Sequence, residues 1–314
     1  MDIASLGKRA SALSPMGGVS GSIVPERVLY ADGDGLAYYC AGSDETSPDR
    51  AVANMRDKLN AAKMVSQAAR VLILSTASGS DKGKRYAIAR VKPYQGQRVN
   101  SRRPKNWELL RSYVTEPRLF PVRTTGIAEA DDMFADYGYR DPHNTVILTQ
   151  DKDMRMVPGW HLDWNTHTMF FLEPTTYKVR HNDKWYGWHW FWLQMLQGDT
   201  ADNIPGLPKY RPSEKAAFKL CGEKTAEKLL DDCKTNVEAA VQVYNLYKSF
   251  YGADAEVNML EQACLLWMRP DPADYFSCLS FKGPLFPLRP SFVEAAKVIE
   301  ERVKEADIAP AQDD

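Results

Sequence analysis

The chain has 314 residues, which is enough for one large domain or two ordinary ones with a substantial core. Its composition, 44% hydrophobic and 26% charged, is typical of a soluble globular protein, and the lack of an apolar run of membrane-spanning length argues against a membrane protein. The net charge of −1 indicates no particular partner, and five cysteines without paired metal-ligand spacing favour a reduced, cytoplasmic setting.

The N-terminal part of the chain predicts a tail followed by a strand–helix–strand unit. Residues 1–25 are mostly small or polar and lack the apolar stretch of a signal peptide, so we expect a flexible tail. A short strand is predicted over 27–31, and Asp32 follows it in a glycine-rich tight turn, although a plain Asp-Gly turn is the simpler interpretation. A helical pattern over 49–70 leads into an apolar strand at 70–74, which favours a parallel sheet.

The segment Lys82–Arg123 differs sharply from the rest of the chain. It contains twelve Lys or Arg residues and only two acids, with Tyr and Trp side chains interleaved. A run of charge is usually only a solvated face. Cations with interleaved aromatic rings, however, suit phosphates and stacked bases, so this segment favours nucleic-acid contact.

An acidic stretch, Glu129–Asp132, follows a short predicted strand at 119–122 and begins a predicted helix. Acids in a first helical turn can simply complement the helix dipole. Two further acidic pairs make that interpretation less attractive, because one follows the predicted strand Thr145–Thr149 and the other follows the predicted helix Trp188–Gln197. The pairs are Asp151 with Asp153, and Asp199 with Asp202. Carboxylates gathered at the carboxyl ends of parallel strands predict a site for divalent cations.

The remainder of the chain predicts edge strands over 156–184 and helices over 227–232, 237–266 and 291–305. Before the first of these helices, Gly222, Lys224 and Thr225 form a weak signal for phosphate contact.

In their order along the chain these stretches resemble the 5′-nuclease superfamily, which comprises flap endonucleases, the 5′-nuclease domain of bacterial DNA polymerase I and bacteriophage 5′–3′ exonucleases. The resemblance covers about 28–230 and includes the family's Glu-Ala-Asp-Asp, Thr-x-Asp-x-Asp and Gly-Asp-x-x-Asp-Asn-Ile-Pro-Gly signatures. It implies an α/β fold with a PIN-like, mostly parallel central sheet flanked by helices, a basic arch and a helix-hairpin-helix region. The corresponding division is a tail at 1–25, a nuclease core at 26–187 with the arch at 82–123, a DNA-binding region at 188–270 and a C-terminal helical segment at 271–314.

The resemblance also implies roles for individual residues. Two Mg²⁺ or Mn²⁺ ions would be held by Asp32, Asp81, Glu129, Asp131, Asp132, Asp151, Asp153, Asp199 and Asp202. Catalytic contacts from the arch would come from Lys84, Tyr94 and Arg98. DNA contacts would come from Lys82, Arg85, Arg90, Lys92, Arg102, Arg103, Gly222, Lys224 and Thr225, and the hairpin would bind K⁺.

The sequence departs from the family pattern at three places. Gln95 stands where a lysine is usual, Asp81 lies farther from its strand than usual, and a basic insertion at about 209–219 splits the hairpin. Lys84 or Lys92 would take the place of the lysine that is usual at position 95. We interpret the insertion as an additional contact with duplex DNA.

The implied function is that of a metal-dependent 5′→3′ exonuclease and structure-specific flap endonuclease. It would act as a monomer on DNA with a 5′ end or flap, and on RNA–DNA hybrids during primer removal, in the replication or recombination of a phage within its host's cytoplasm. A PIN-class ribonuclease is an alternative, but such domains lack the hairpin. A catalytically decayed DNA-binding protein is another, favoured only by Gln95.

Overall fold

The structure is a computed structural model that describes residues 22–97, 102–213 and 215–308. Most of the predicted tail, residues 1–21, lies outside this range. The chain forms two compact units that alternate along the sequence. We call Met1–Ser80 with Ser101–Pro174 the sheet unit, and Asp81–Asn100 with Thr175–Asp314 the helical unit.

Ten strands and ten α-helices are present in the described residues. The strands are β1 (Val24–Asp32), β2 (Ala68–Thr76), β3 (Val122–Thr125), β4 (Thr145–Leu148), β5 (Gly159–Leu162), β6 (Met169–Leu172), β7 (Val179–His181), β8 (Lys184–Tyr186), β9 (Lys209–Tyr210) and β10 (Lys219–Leu220). The helices are α1 (Gly33–Tyr39), α2 (Pro48–Ser66), α3 (Arg85–Ile88), α4 (Trp107–Thr115), α5 (Ala130–Arg140), α6 (Trp188–Gln197), α7 (Glu223–Leu229), α8 (Asn236–Tyr251), α9 (Ala255–Leu266) and α10 (Val293–Ile308). None of these helices is both long and apolar enough to cross a membrane.

The sheet unit is built on a six-stranded sheet with the order β3-β2-β1-β4-β5-β6. All neighbouring strands are parallel except β5 and β6. Because β2 and β4 lie on opposite sides of β1, the strand order reverses at β1, and ligands of open α/β sheets bind at the carboxyl ends of strands around such a point. The prediction of a mostly parallel sheet flanked by helices is confirmed.

The apolar pattern of the sequence explains how this unit is packed. Strand β1 has a buried run over 28–31, as expected of a parallel strand that is covered on both faces. Helix α2 buries Ala51, Met55, Leu59 and Ala62, a spacing of three or four residues that places them on one face. These side chains join the core formed by β1, β2 and β4.

Several predicted boundaries differ from the structure. The strand predicted at 119–122 occupies 122–125, because β3 pairs with β2 only from Val122 onward. The turn predicted after Asp32 is the start of α1, with Asp32 as its N-cap. The helix predicted over 237–266 is interrupted at Gly252, whose φ of 59° ends α8.

In the helical unit, α6 supplies much of the core through aromatic side chains. Phe191 and Trp192 are buried, and the Nε1 of Trp192 donates a hydrogen bond of 2.8 Å to Asn236. Trp267 packs edge-to-face against Phe191. The aromatic density of this stretch is therefore structural, as its sequence predicts.

Candidate metal centre and nucleic-acid contacts

At the carboxyl edge of the sheet, a chain of hydrogen bonds fixes two aspartates. Asp32 ends β1, and its two carboxylate oxygens accept from the N–H of Gly35 at 2.9 Å and from the hydroxyl of Thr149 at 2.8 Å. The same hydroxyl oxygen accepts from the N–H of Asp151 at 2.9 Å. A Cβ on Gly35 would lie 2.6 Å from Oδ2 of Asp32, so a larger residue there would displace this carboxylate. Asp32 and Asp151 are thus held beside each other across β1 and β4.

Asp131, in the first turn of α5, completes this cluster. Burial raises the pKa of Asp131 well above its usual range, and the negative charges of Asp151, Glu129, Asp32 and Asp153 raise it further. Burial also raises the pKa of Asp32. Five carboxylates therefore share one edge of the sheet unit and repel one another.

This set of groups fits divalent cations. Mg²⁺ and Mn²⁺ prefer carboxylate oxygens, and a bound cation would relieve the repulsion among these carboxylates. The sheet unit therefore brings together Asp32, Glu129, Asp131, Asp151 and Asp153, five of the nine predicted metal ligands.

Asp132 has a different environment from Asp131. Its side chain is fully buried, and one carboxylate oxygen accepts from the N–H of Glu129 at 3.3 Å. The next N–H, that of Ala130, donates to the hydroxyl of Thr76 at the end of β2. Asp132 thus takes part in a capping box at the start of α5, and its role as a metal ligand stays a prediction.

Replacement of Asp131 by Asn is expected to stabilise the metal-free protein at neutral pH. The folded state raises the pKa of Asp131, so its ionised form costs free energy of folding at pH above the unfolded value of about 4, and this cost disappears on acidification. We expect a gain on the order of 1 kcal/mol at pH 7.5 in EDTA, shrinking towards pH 4. Thermal unfolding of the variant, the wild type and an Asp57→Asn control would measure it; a variant less stable than the wild type at pH 7.5 would contradict the prediction.

In the helical unit, Asp199 and Asp202 lie in a tight loop after α6. The N–H and carbonyl groups of Asp199 pair with Ile204, and its carboxylate accepts from the N–H of Ala201 at 2.8 Å. A Cβ on Gly198 would lie 2.4 Å from the carbonyl oxygen of Ile204, so the glycine of this signature is needed for the close approach of two backbones. Asp199 is buried, whereas Asp202 is partly exposed.

The predicted catalytic residues of the arch have defined contacts in the same unit. Tyr94 is buried, and its hydroxyl donates to Asp202 at 3.4 Å. Lys84 forms ion pairs with Asp81 at 3.1 Å and with Asp307 at 2.8 Å. Asp81 also accepts from the N–H of Gly83, so it caps a short 3₁₀ helix. Arg98 lies outside the described residues.

The prediction that Arg85 contacts DNA is wrong. Arg85 is fully buried, and its guanidinium donates to the carbonyl oxygens of Lys82, Leu265 and Trp267. The burial of Arg85 could not be predicted from the run of basic residues, because a charged side chain is seldom fully buried.

The other predicted DNA contacts have accessible side chains or backbone. Arg90, Lys92, Arg102, Arg103, Gly222 and Lys224 are exposed, and Lys82 and Thr225 are partly exposed. Arg103 lies over the ring of Trp107 at 4.2 Å, and Arg102 pairs with Asp44. Gly222 is the N-cap of α7. Their roles in DNA binding stay predictions.

Two residues near the carboxylates were not singled out from the sequence. Arg111 of α4 forms an ion pair with Asp34 in the first turn of α1. The negative charges of Asp32 and Asp151 add to the effect of burial in raising the pKa of Tyr39. Arg111 belongs to the basic segment, but only its position in the fold distinguishes it from the other cations.

No protein-family model matches this chain, and no curated protein is significantly similar in sequence. The structure of a bacteriophage T5 flap endonuclease, in a pseudo-enzyme–product complex with DNA and metal ions, is similar with a TM-score of 0.53 and 15% identity, over 88% of this chain and 99% of that one. Two further T5 structures are a protein co-crystallised with metal ions and a 5′-exonuclease mutant. They match with TM-scores of 0.49 and 0.47, identities of 16% and 15%, and coverage of 89% and 88% of this chain and 97% and 99% of theirs.

At these identities the likeness concerns the fold. The flap endonuclease is matched over almost its whole length, and the motifs occur in the order that the resemblance requires. The carboxyl edge of β1 carries a cluster of acids, as the sequence predicts. The chain therefore has the fold of the 5′-nucleases.

Proposed function

We propose that the protein is a metal-dependent 5′-nuclease. The observation that carries the proposal is the set of five carboxylates around Asp131, at the carboxyl edge of the sheet where its strand order reverses. Mutual repulsion among neighbouring carboxylates costs stability, so it is expected where a bound cation compensates for it.

The carboxylates of both units are proposed as metal ligands. In the sheet unit these are Asp32, Glu129, Asp131, Asp151 and Asp153, and in the helical unit Asp199 and Asp202. Bound Mg²⁺ or Mn²⁺ supplies Lewis-acid polarisation of phosphoryl oxygens and acidification of water. The protein itself holds the carboxylates in register through Thr149 and the N-terminal turn of α5. The K⁺ implied for the hairpin stays a prediction.

The proposed substrate is DNA with a 5′ end or a 5′ flap, cleaved by hydrolysis of phosphodiester bonds. The fold is shared with a flap endonuclease whose complex contains DNA and metal ions. Exposed cations, among them Arg90, Lys92 and Lys224, offer contacts for its phosphates. RNA primers in RNA–DNA hybrids and a role in phage replication or recombination are further parts of the proposal.

A labelled flap duplex provides the test. The full chain would be incubated with a 5′-labelled flap, a nicked duplex and a single strand, with Mg²⁺ or with EDTA. Release of short 5′ products only with Mg²⁺ would support the proposal and give the polarity of cleavage. Binding of the flap without cleavage in Mg²⁺ and in Mn²⁺ would overturn it in favour of a DNA-binding protein without nuclease activity.

Strands β9 and β10, at the two ends of the basic insertion at 209–219, pair antiparallel. Arg211 donates to the hydroxyl of Ser249 at 3.0 Å and lies over the ring of Phe218 at 5.4 Å. Phe218 in turn packs edge-to-face on Phe250 of α8. The hairpin is therefore anchored on α8, and its exposed lysines are Lys209, Lys215 and Lys219.

Replacement of these three lysines by Ser is expected to weaken binding of duplex DNA and to reduce its salt dependence. Each phosphate contact that is lost lowers the slope of log K against log salt by about 0.9. Fluorescence anisotropy in EDTA over a salt series would measure this without cleavage. The matched control carries Arg56→Ser, Lys297→Ser and Lys304→Ser, the same change of charge on exposed helix surfaces. Equal slopes for the two triple variants would refute the contact.

A further inference from the structure

In the helical unit, several hydrogen bonds join the segment Pro93–Gln97 to the loop Thr200–Asn203. The backbone N–H of Gln95 donates to the carbonyl oxygen of Asp202 at 2.9 Å. The side-chain amide of Asn203 donates to the carbonyl oxygen of Pro93 at 2.8 Å. The side-chain amide of Gln97 donates at 2.7 Å to the carbonyl oxygens of both Thr200 and Ala201. These bonds hold the backbone of the loop.

A separate pair of contacts holds the carboxylate of Asp202. The side-chain N–H of Gln95 donates to Oδ1 at 2.9 Å, and the hydroxyl of Tyr94 donates to Oδ2 at 3.4 Å. Each oxygen thus has a donor from the same short segment, which fixes both the position and the rotation of the carboxylate. An amide is neutral, so it orients the carboxylate without cancelling its charge.

The backbone of Gln95 indicates that its position is imposed by the fold. Its φ is 54°, in the left-handed region that costs a residue with a side chain free energy. The bond from its N–H to the carbonyl oxygen of Asp202 maintains this conformation. Strain of this kind persists where the surrounding structure enforces it and is common at functional sites.

We propose that Gln95 is a positioning residue that orients the Asp202 carboxylate for a divalent cation. The inference rests on the proposed function in one respect, that Asp202 is a metal ligand. Hydrogen-bond partners of metal ligands typically contribute about 10–100-fold to metal affinity. Gln95 therefore acts on the metal through Asp202 and not by neutralising the charge of a phosphate.

The identity of the side chain separates these two roles. Gln95→Ala removes the bond to the carboxylate. Gln95→Lys places an ammonium group on the same carboxylate, where it competes with a cation. A role in neutralising phosphate predicts instead that Gln95→Lys improves cleavage.

Binding of Mn²⁺ to the full metal-free chain, without DNA, is the direct test. Isothermal titration calorimetry measures the affinity independently of activity. The paramagnetic resonance signal of free Mn²⁺ provides a second measurement of binding. We expect Gln95→Ala and Gln95→Lys each to weaken one class of Mn²⁺ site about 10-fold or more. Asp202→Asn should weaken the same class at least as much, and adding Gln95→Ala to it should have no further effect. Gln97→Ala is the matched control, because Gln97 donates to backbone carbonyl oxygens of the same loop and not to the carboxylate, and the affinity of this variant should stay within about 2-fold of the wild type.

The outcomes distinguish the inference from the function on which it rests. Weaker Mn²⁺ binding by Asp202→Asn with unchanged binding by Gln95→Ala would overturn the inference and leave the proposed function intact. Additive effects in the double variant would overturn it as well, because Gln95 would then act independently of Asp202. If the wild type binds Mn²⁺ and Asp202→Asn binds it equally well, Asp202 is not a metal ligand. That result would also overturn the inference about Gln95.

Discussion

Asp151→Ala is expected to reduce Mg²⁺-dependent cleavage of a 5′ flap by about 10³-fold or more. Metal-ion catalysis contributes several kcal/mol of transition-state stabilisation, and each 1.36 kcal/mol corresponds to about a factor of ten in rate. Asp151 is exposed, lies among the repelling carboxylates and accepts from the N–H of Asp153 at 2.8 Å. Its loss removes a proposed ligand and releases the hydrogen bond that orients its neighbour.

The comparison that isolates this effect uses Asp57→Ala. Asp57 lies on α2 and forms an exposed ion pair with Arg56, so its replacement should change the rate by less than about 2-fold. Single-turnover rates at saturating Mg²⁺ would be measured for both variants, with circular dichroism spectra to compare their folds. Cleavage by Asp151→Ala within about 10-fold of the wild type would remove this residue from the proposed metal ligands.

Glu261→Ala is expected to lower the free energy of unfolding of the helical unit by about 3–5 kcal/mol, because it breaks a buried ion pair. The side chain of Glu261 is 1% exposed and pairs with Arg302 at 2.6 Å. Its other oxygen accepts from the N–H groups of Arg90 and Val91 at 3.0 and 2.8 Å. The substitution leaves a mostly buried guanidinium and two backbone donors without this acceptor.

Glu256→Ala on the same helix is the matched control. Glu256 pairs with Lys248, which is about half exposed, and also accepts from the hydroxyl of Tyr244, so we expect a loss of about 1–2 kcal/mol. Urea unfolding followed by tryptophan fluorescence would compare the two variants, since five tryptophans, 185, 188, 190, 192 and 267, lie in the helical unit. Equal losses for both variants would show that the deeper burial of Glu261 adds nothing to the contribution of its ion pair.

The acidic residues could be found from the sequence because their positions are set locally. Asp32 ends an apolar strand and Asp151 follows another, so a parallel sheet brings them to the same edge. Packing gives Asp131 and its neighbour Asp132 different environments, since Asp131 lies among the other carboxylates and Asp132 accepts from the N–H of Glu129 in a helix cap. Two adjacent identical side chains on a helix point in directions about 100° apart. The sequence pattern alone does not show which contacts each of them makes.

The environments of Arg85 and Gln95 could not be predicted for a different reason. Two of the three acceptors of Arg85 lie 180 and 182 residues away, and the carboxylate that Gln95 holds is 107 residues away. No local period links such positions. A basic, polar segment is interpreted as a solvent-exposed surface until the partner that buries it is known.

The division of the chain into two alternating units has a consequence for its synthesis. Residues 81–97 leave the ribosome before the second half of the sheet unit, yet Arg85, Arg90 and Val91 find their partners only when α9 and Trp267 have emerged. At typical elongation rates of about 5–20 residues per second, that interval is on the order of 10–30 s. Throughout this interval Arg85, which is buried in the finished protein, is an exposed cation on the growing chain. The sheet unit has then already been translated in full, and completion of the helical unit awaits the C-terminal helices.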